Sequence, residues 1–121
     1  MPIRNYRDLL AWQSAMDPTV AVYETTGNWP RPEEYGLTRQ VRQAAVSVPC
    51  NIAEGQGRRS DPEFRHFLSI AHGSLREVET CVLLGERLKY LGARDAARLL
   101  DHCAEVGRLI NGLASSLRGR R

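Results

Sequence analysis

Glu63 and His66 have the E-x-x-H spacing with which four-helix bundles hold di-iron and di-manganese centres. Such a centre takes a second E-x-x-H and two further inward glutamates, and the sequence contains no second copy of the motif. Glu63 also fits another role, because Ser60 and Glu63 match a capping box at the start of a helix. The other two histidines have no partners at zinc-ligand spacing. We therefore assign no metal ion and no cofactor.

The sequence also lacks the motifs of common enzymes. No G-x-S-x-G and no phosphate-binding glycine loop occur. Gly55-Gln56-Gly57 follows a predicted helix rather than a strand, which is the wrong context for a dinucleotide. Ser47 has no histidine close in sequence, so it fits a helix-packing hydroxyl better than a nucleophile. We expect a protein without catalytic residues.

The basic residues are 16 arginines and a single lysine, and the net charge is +3. Guanidinium groups suit phosphate, so this bias can indicate a nucleic-acid partner, but on composition alone a genomic or thermal preference in codon usage is favoured. Each arginine can also lie on a solvated face or in a salt bridge, as we expect for Arg58 with Glu54. Seven arginines are candidates for binding nucleic acid. Arg39 and Arg42 lie on the central helix, Arg58 and Arg59 at its exit, and Arg118, Arg120 and Arg121 in a basic tail.

Length and composition indicate a single domain over residues 1–121, which is 42% hydrophobic and 26% charged. No apolar run approaches the roughly 20 residues of a membrane span, and the N-terminus lacks the apolar core of a signal peptide. We expect a cytoplasmic protein with no membrane partner. Cys50, Cys81 and Cys103 are predicted to be reduced thiols packed in helices rather than disulfide partners.

The stretch 38–60 forms the central helix of the prediction. Its apolar residues recur at three- and four-residue intervals, as in an amphipathic helix. Pro49 lies inside this pattern, where its missing N–H and a clash with the carbonyl of Ala45 cost roughly 3 kcal/mol. We predict a kinked but continuous helix in which Ser47 and Asn51 pair with the backbone groups left free, and two separate helices are the alternative.

Similar patterns predict an all-α, antiparallel up-and-down four-helix bundle with helices over 5–26, 38–57, 61–91 and 93–117. The predicted core stripe of the first helix is Leu9, Trp12, Met16, Val20 and Tyr23, with Ala11 and Ala15 beside it. The last two helices have near-heptad stripes, and their predicted core residues are Leu68, Ala71, Leu75, Val78, Val106, Ile110 and Leu113.

A short link after the central helix sets Gly73 and Ser74 opposite Ala44 and Ala45. Because a mid-helix glycine costs about 1 kcal/mol relative to alanine, Gly73 predicts a close backbone approach there. The residues with predicted structural roles are Ser47, Pro49, Asn51, Glu54, Gly55, Gly73 and Ser74.

Several segments also resemble a known family. They are Tyr35-Gly36-Leu37-Thr38, Gln40-Val41-Arg42, Ser47-Val48-Pro49-Cys50-Asn51-Ile52-Ala53-Glu54-Gly55, Arg58, and Phe64-x-x-Phe67-Leu68-x-Ile70-Ala71-x-Gly73-Ser74-Leu75-x-Glu77. They resemble the bacterial four-helix-bundle proteins encoded within intervening sequences of 23S ribosomal RNA genes. More distantly, the chain resembles the accessory variability proteins of diversity-generating retroelements, which associate with a reverse transcriptase.

The resemblance implies a four-helix protomer that forms a homopentamer with a basic surface suited to structured nucleic acid, and it implies no catalysis. A reverse transcriptase or another protein is a further partner that it allows. The preferred function is therefore a non-catalytic accessory protein that binds structured RNA or an RNA–DNA hybrid as a basic homo-oligomer. The alternative is an oligomeric protein-interaction scaffold that binds no nucleic acid.

Exposed apolar and aromatic residues bear on both functions. Four leucines add apolar area beside the heptad stripe of the third helix, namely Leu83, Leu84, Leu88 and Leu91. This area favours an oligomer that would bury it. In the alternative, a monomer, the first helix covers these leucines. Since Trp12 and Tyr23 belong to the predicted core, only Trp29, Tyr35 and Tyr90 remain for stacking on single strands.

Overall fold

Four helices account for most of the computed structural model, which describes residues 5–118. They are α1, Leu10–Thr26; α2, Leu37–Gln56; α3, Asp61–Arg87; and α4, Ala93–Arg118. Two short 3-10 turns, Tyr6–Asp8 and Arg31–Tyr35, precede α1 and α2, and no strand occurs in the described chain. The predicted all-α fold is confirmed.

Each helix packs on two neighbours, which it meets in antiparallel orientation. Hydrogen bonds join Thr19 to Ala45 and Thr26 to Arg42, so residue numbers rise along α1 as they fall along α2. Contacts between α2 and α3 have the same reversed order. Within residues 5–118, α1 and α3 each pack on α2 and α4, and neither diagonal pair approaches closely. This arrangement is the predicted up-and-down bundle.

The topology gives the bundle two distinct ends. The α2–α3 end holds the connection 57–60, the start of α1 and the last turn of α4. The α3–α4 end holds the connection 88–92 and the crossover 27–36 between α1 and α2. Residues far apart in sequence, such as those of the first turn and those of connection 57–60, therefore lie at the same end of the molecule.

The core lies along the axis shared by the four helices. Of the seven residues predicted for the core of α3 and α4, all are buried except Leu113, which is partly buried against it. The largest fully buried side chains include residues from every helix, among them Val22, Ile52, Leu75 and Ile110. Burial of such side chains, at about 25 cal/mol per Å² of apolar surface, holds the bundle together.

Helix α1 presents a different face to the core from the predicted one. Met16, Val20 and Tyr23 are exposed, and the buried stripe consists mainly of small residues, namely Ala11, Ala15, Pro18, Val22 and Thr26. Both stripes have helical spacing, but small side chains allow α1 to lie closer to its neighbours. Of the predicted stripe, Leu9 is buried and Trp12 is partly buried against the core.

The first helix also begins later than predicted. Leu9 has extended backbone angles, and this separates the turn Tyr6–Asp8 from α1. Asn5 caps that turn instead of the helix, because its Oδ1 accepts a hydrogen bond of 2.9 Å from the Arg7 N–H. The prediction of one helix over 5–26 is thus wrong at its N-terminal end.

Glu33 fixes the crossover between α1 and α2. Its Oε1 accepts a hydrogen bond of 3.0 Å from the Leu37 N–H, and its Oε2 accepts one of 2.7 Å from the Tyr90 hydroxyl. These bonds favour the carboxylate and lower the pKa of Glu33, the backbone bond having the larger effect. Trp29 packs beside Tyr90, with ring centroids 5.4 Å apart, and is buried. It is therefore a core residue and not a platform for nucleotide stacking.

Helix α3 ends at Arg87, earlier than the predicted residue 91. Lys89 has a φ of 65° and takes the left-handed position that usually belongs to a glycine. The Tyr90 N–H bonds to the Gly85 carbonyl at 2.8 Å, and the Lys89 N–H bonds to that of Glu86 at 3.0 Å. These two bonds form a Schellman motif, which ends the helix.

The cysteines differ in burial. Cys81 and Cys103 are buried, as predicted, whereas Cys50 is exposed, so its predicted packing role is wrong. Burial raises the pKa of the Cys103 thiol to about 12 and also raises that of Cys81. Both buried thiols therefore stay protonated near neutral pH and act as small apolar side chains.

Candidate nucleic-acid interface

Three polar side chains join α2 to α3 near the middle of the bundle. The hydroxyls of Ser47 and Ser74 are 2.8 Å apart, so one donates to the other. Asn51 Nδ2 donates to the Ser47 carbonyl at 2.8 Å and lies 2.9 Å from Ser47 Oγ. This partly buried network fixes the two helices relative to each other, and its members fill one another's hydrogen-bonding capacity.

Pro49 is buried inside a continuous α2, and a hydroxyl of another helix approaches the carbonyl that Pro49 leaves without its N–H partner. Thr19 Oγ1 lies 3.0 Å from the Ala45 carbonyl, which Pro49 cannot pair, and 2.9 Å from the Ala15 carbonyl. Ser47 and Asn51, predicted for this role, bond to each other instead. Sequence reasoning missed Thr19 because it lies 26 residues away from Ala45.

Gly55, not Gly73, marks the close approach between α2 and α3. A Cβ added at Gly55 would lie 2.8 Å from Phe67 Cβ and 2.9 Å from Phe64 Cδ1, whereas one at Gly73 meets nothing within 4 Å. The predicted contact of Gly73 with Ala44 and Ala45 is therefore wrong, since Ser74 faces Ser47 and Gly73 is exposed. The packing of α2 on α3 therefore requires a glycine at position 55 and not at position 73.

Two arginines at the exit of α2 are exposed at the α2–α3 end. Arg58 bonds to Glu54 at 2.6 Å, as predicted, and its guanidinium lies 4.6 Å from the centre of the Phe67 ring. Arg59 is exposed and forms no ion pair among the described residues. Arg7, in the first turn, is exposed at the same end. The connection thus holds one arginine in place and leaves its neighbour available.

The other candidate arginines do not join this cluster. Arg42 is engaged within the protomer, since its Nε donates to Thr26 Oγ1 at 2.8 Å and its guanidinium lies 4.7 Å from the centre of the Tyr23 ring. Arg39 is exposed near the α3–α4 end, about 28 Å along α2 from Arg58 at 1.5 Å per residue. Within one protomer the candidates divide between two ends.

The candidate tail lies mostly outside the described residues. Arg118 is the last residue of α4, at the α2–α3 end, but its side chain is not described. Arg120 and Arg121 lie outside the described part of the chain.

The E-x-x-H residues have structural contacts. Glu63 Oε1 lies 3.1 Å from the Ser60 hydroxyl, and the Glu63 N–H donates to Ser60 Oγ at 3.3 Å. His66 is exposed, and its ring meets Phe67 edge-on at 5.6 Å. In residues 5–118 no three potential metal-ligating side chains come together, and no helix is both long and apolar enough to cross a bilayer.

A polar groove of about 520 Å³ between α3 and α4 was not predicted. Arg65, Ser69 and His72 line it from α3, and Asn111 and Ser115 line it from α4. The spacing of these residues, i, i+4, i+7 on α3 and i, i+4 on α4, puts each set on one helix face. A search of the sequence for polar stripes on the two facing helices could have found it.

Comparison with known proteins now defines the family. A family model described as 23S rRNA-intervening sequence protein matches residues 7–112. The chain belongs to this family. The resemblance seen in the sequence is thereby confirmed, and the 23S rRNA-intervening sequence match covers all of α1, α2 and α3 and most of α4.

A solved structure shows the same fold. A protein of unknown function from the S23 ribosomal protein family of Bacteroides thetaiotaomicron matches with a TM-score of 0.78 and 19% sequence identity, covering 87% of this chain and 98% of that one. At this identity the likeness concerns the fold alone. A search of curated proteins found no match.

Proposed function

We propose that this protein is a non-catalytic, cytoplasmic accessory factor that binds structured RNA or an RNA–DNA hybrid as a basic homo-oligomer. The observation that carries the proposal is the exposed connection 57–60, where Arg58 and Arg59 project beside the first turn of α1 and the end of α4. The family is named for genes that lie within intervening sequences of 23S rRNA, so structured RNA is the first nucleic acid to test.

Repetition of charge in an assembly explains how a chain with a net charge of only +3 can bind nucleic acid. Phosphate affinity comes from many neutralised contacts with little sequence readout. In a symmetric assembly the arginines of connection 57–60 are repeated by every copy, so a modest charge on each chain adds up to a strong local field. Arg58 is partly neutralised by Glu54, so Arg59 contributes more of the free charge.

A salt titration tests this function. Filter binding of duplex RNA, single-stranded RNA and DNA should show log affinity falling linearly with log salt concentration. Replacing Arg58 and Arg59 together by alanine should reduce the magnitude of that slope by about one unit for each of these arginines that neutralises a phosphate, so by about 2 for every protomer that contacts the nucleic acid. The fold should be retained, because the exposed Arg58–Glu54 pair is worth only about 0.3–0.5 kcal/mol.

A matched control removes the same charge from the opposite end. Arg94 and Arg98 are exposed at the α3–α4 end, and Arg98 lies 3.9 Å from Asp95, a pair similar in kind to Arg58–Glu54. Their double alanine variant should leave the slope nearly unchanged. Equal effects of both double variants would mean a diffuse charge effect, and no salt-sensitive binding to any probe would favour the scaffold function.

Exposed leucines in the last turn of α3 and at its C-terminal cap support the oligomeric part of the proposal. Leu83, Leu84 and Leu88 are 49%, 46% and 52% exposed, and α1 packs on α2 and α4 rather than on α3, so it does not cover them. Leucines grouped along one exposed helix favour burial against another molecule.

Sedimentation velocity at micromolar concentration should therefore show an assembly larger than one protomer. Replacing Leu84 and Leu88 together by glutamine should shift the protein towards the protomer. Leu10→Gln, at a residue of α1 that is 67% exposed, serves as the control. A wild-type protein that sediments as a single chain would exclude the oligomer, and the family resemblance to a homopentamer would then not extend to this chain.

A further inference from the structure

The groove between α3 and α4 owes its depth to residues without large side chains. Gly73 and Ala114 line it, and a Cβ at Gly73 would meet nothing within 4 Å. Gly107, on the facing helix, is buried close to His72. Gly73 on α3 and Ala114 on α4 thus leave open a space that larger side chains would fill.

Gly73 has no packing role in the described protomer. A glycine inside a helix is less favourable than alanine, and close packing is the usual compensation. At Gly55 and Gly85 an added Cβ would come within 3 Å of a neighbouring side chain, but at Gly73 the space is empty. The missing side chain at Gly73 therefore leaves this edge of the groove open.

Arg65 is the charged donor among the polar groups of the groove, and the other polar side chains can both donate and accept hydrogen bonds. Arg65 is half-buried and forms no ion pair among the described residues, and no carboxylate is found among the described residues that line the groove. Ser69 and Ser115 add hydroxyls, and Asn111 adds an amide that can both donate and accept. A guanidinium without a carboxylate partner favours an anion, and phosphate in particular.

We propose that this groove binds one nucleotide unit, with its phosphate on Arg65 and its base near the Asn111 amide. The volume of about 520 Å³ falls within the range of small-ligand sites. The inference rests on the proposed RNA-binding function, because an unpaired nucleotide of a structured RNA is one source of the unit. A free mononucleotide is the other source. Unpaired bases are the part of RNA that protein side chains can reach on their hydrogen-bonding edges.

The position of the groove fits this role. Arg65 lies in the second turn of α3, close after connection 57–60, so the groove opens at the same end of the bundle as Arg58 and Arg59. An RNA held by its backbone at that connection can place an unpaired nucleotide in the groove. The backbone contacts supply affinity, and the groove supplies the requirement for an unpaired base.

The test fills the groove without disturbing the fold. Gly73→Leu puts a branched side chain into the open space, and Gly112→Leu makes the same change at an exposed helical position of α4 that lies outside the groove and is also free of neighbours within 4 Å. Both variants gain helix propensity and should fold. Arg65→Gln removes the guanidinium, and Arg94→Gln removes the same charge at the α3–α4 end.

Fluorescence anisotropy of a labelled RNA hairpin with an unpaired loop measures the effect on the full chain. We expect Gly73→Leu and Arg65→Gln each to weaken binding about tenfold, and Gly112→Leu and Arg94→Gln to change it less than twofold. A blunt RNA duplex should bind the wild type more weakly than the hairpin and should be insensitive to Gly73→Leu. Unlabelled AMP should compete with the hairpin better than inorganic phosphate does.

The outcomes separate this inference from the proposed function. Hairpin binding that depends on Arg58 and Arg59 but not on Gly73→Leu would overturn the groove site and leave the RNA-binding function standing. AMP binding that Gly73→Leu abolishes, without any RNA binding by the wild type, would support the groove and overturn the function. Competition by inorganic phosphate equal to that by AMP would overturn the base contact, because only an anion site would then exist.

Discussion

Replacing Gly55 by alanine is expected to destabilise the protein by about 2 kcal/mol, although the same change usually stabilises a helix by up to about 1 kcal/mol. The added Cβ would lie 2.8 Å from Phe67 Cβ, 2.9 Å from Phe64 Cδ1 and 3.3 Å from the Phe64 carbonyl oxygen. The Phe64 carbonyl oxygen belongs to the backbone of α3, and Phe67 Cβ is bonded directly to it. Relief therefore requires the two helices to move apart, and rotation of one side chain cannot provide it.

Two matched variants isolate the effect of crowding. Gly73→Ala and Gly112→Ala make the same substitution in helices at exposed positions where nothing lies within 4 Å. Both should raise the free energy of unfolding by about 0.5–1 kcal/mol. The sign of the change should thus differ between Gly55 and the two controls, which makes the comparison insensitive to errors in absolute stability.

Urea unfolding followed by circular dichroism measures all three variants at one protein concentration, since an oligomer would make apparent stability depend on concentration. The Gly55→Ala midpoint should fall with little change in the slope of free energy against urea. A Gly55→Ala protein as stable as the wild type would show that α2 and α3 can separate at little cost, contrary to their close approach at this glycine.

The sequence was sufficient to predict the fold wherever apolar periodicity was unambiguous. Helices α3 and α4 have long stripes of large residues, and six of their seven predicted core residues are buried. Helix α1 has two stripes of helical spacing, and the prediction chose the larger side chains, Met16, Val20 and Tyr23, which are exposed. Periodicity identifies a helix, but close packing against neighbours selects the face, and that depends on partners that a single helix does not reveal.

The candidate site was harder to predict because its groups come from separate helices. The Arg58–Glu54 pair was predictable, since its partners are four residues apart on one helix. To predict the groove, one must know the register between α3 and α4 and also which face of each helix carries Arg65 and Asn111. Glycine is unfavourable inside a helix, and Gly73 was therefore predicted to mark a close approach of two backbones. The close approach occurs at Gly55 instead. One glycine accommodates a neighbour, whereas the other leaves open space.

Thr19→Val is expected to destabilise the protein by about 1–3 kcal/mol, because it leaves the Ala45 carbonyl without its hydroxyl donor. Valine keeps the shape of threonine, so the loss reflects the hydrogen bond. The variant also removes the 2.9 Å bond from Thr19 to the Ala15 carbonyl. Thr80→Val controls for that loss, since Thr80 Oγ1 makes the same kind of bond, 2.9 Å to the Arg76 carbonyl, on an exposed face. Thr80→Val should change stability by less than about 0.5 kcal/mol.

A double-mutant cycle with Pro49→Ala decides whether Thr19 compensates for the proline. Alanine at position 49 restores an N–H that can bond to the Ala45 carbonyl within α2. In the Pro49→Ala background, Thr19→Val should lower the unfolding free energy by about 1 kcal/mol less than it does in the wild type, which means that the two changes are coupled. Thr19→Ser keeps the hydroxyl and should show much less coupling. Changes in unfolding free energy that add to within about 0.3–0.5 kcal/mol would mean that Thr19 and Pro49 act independently. In that case α2 tolerates its proline through packing alone, and the hydroxyl of α1 contributes only to its own helix.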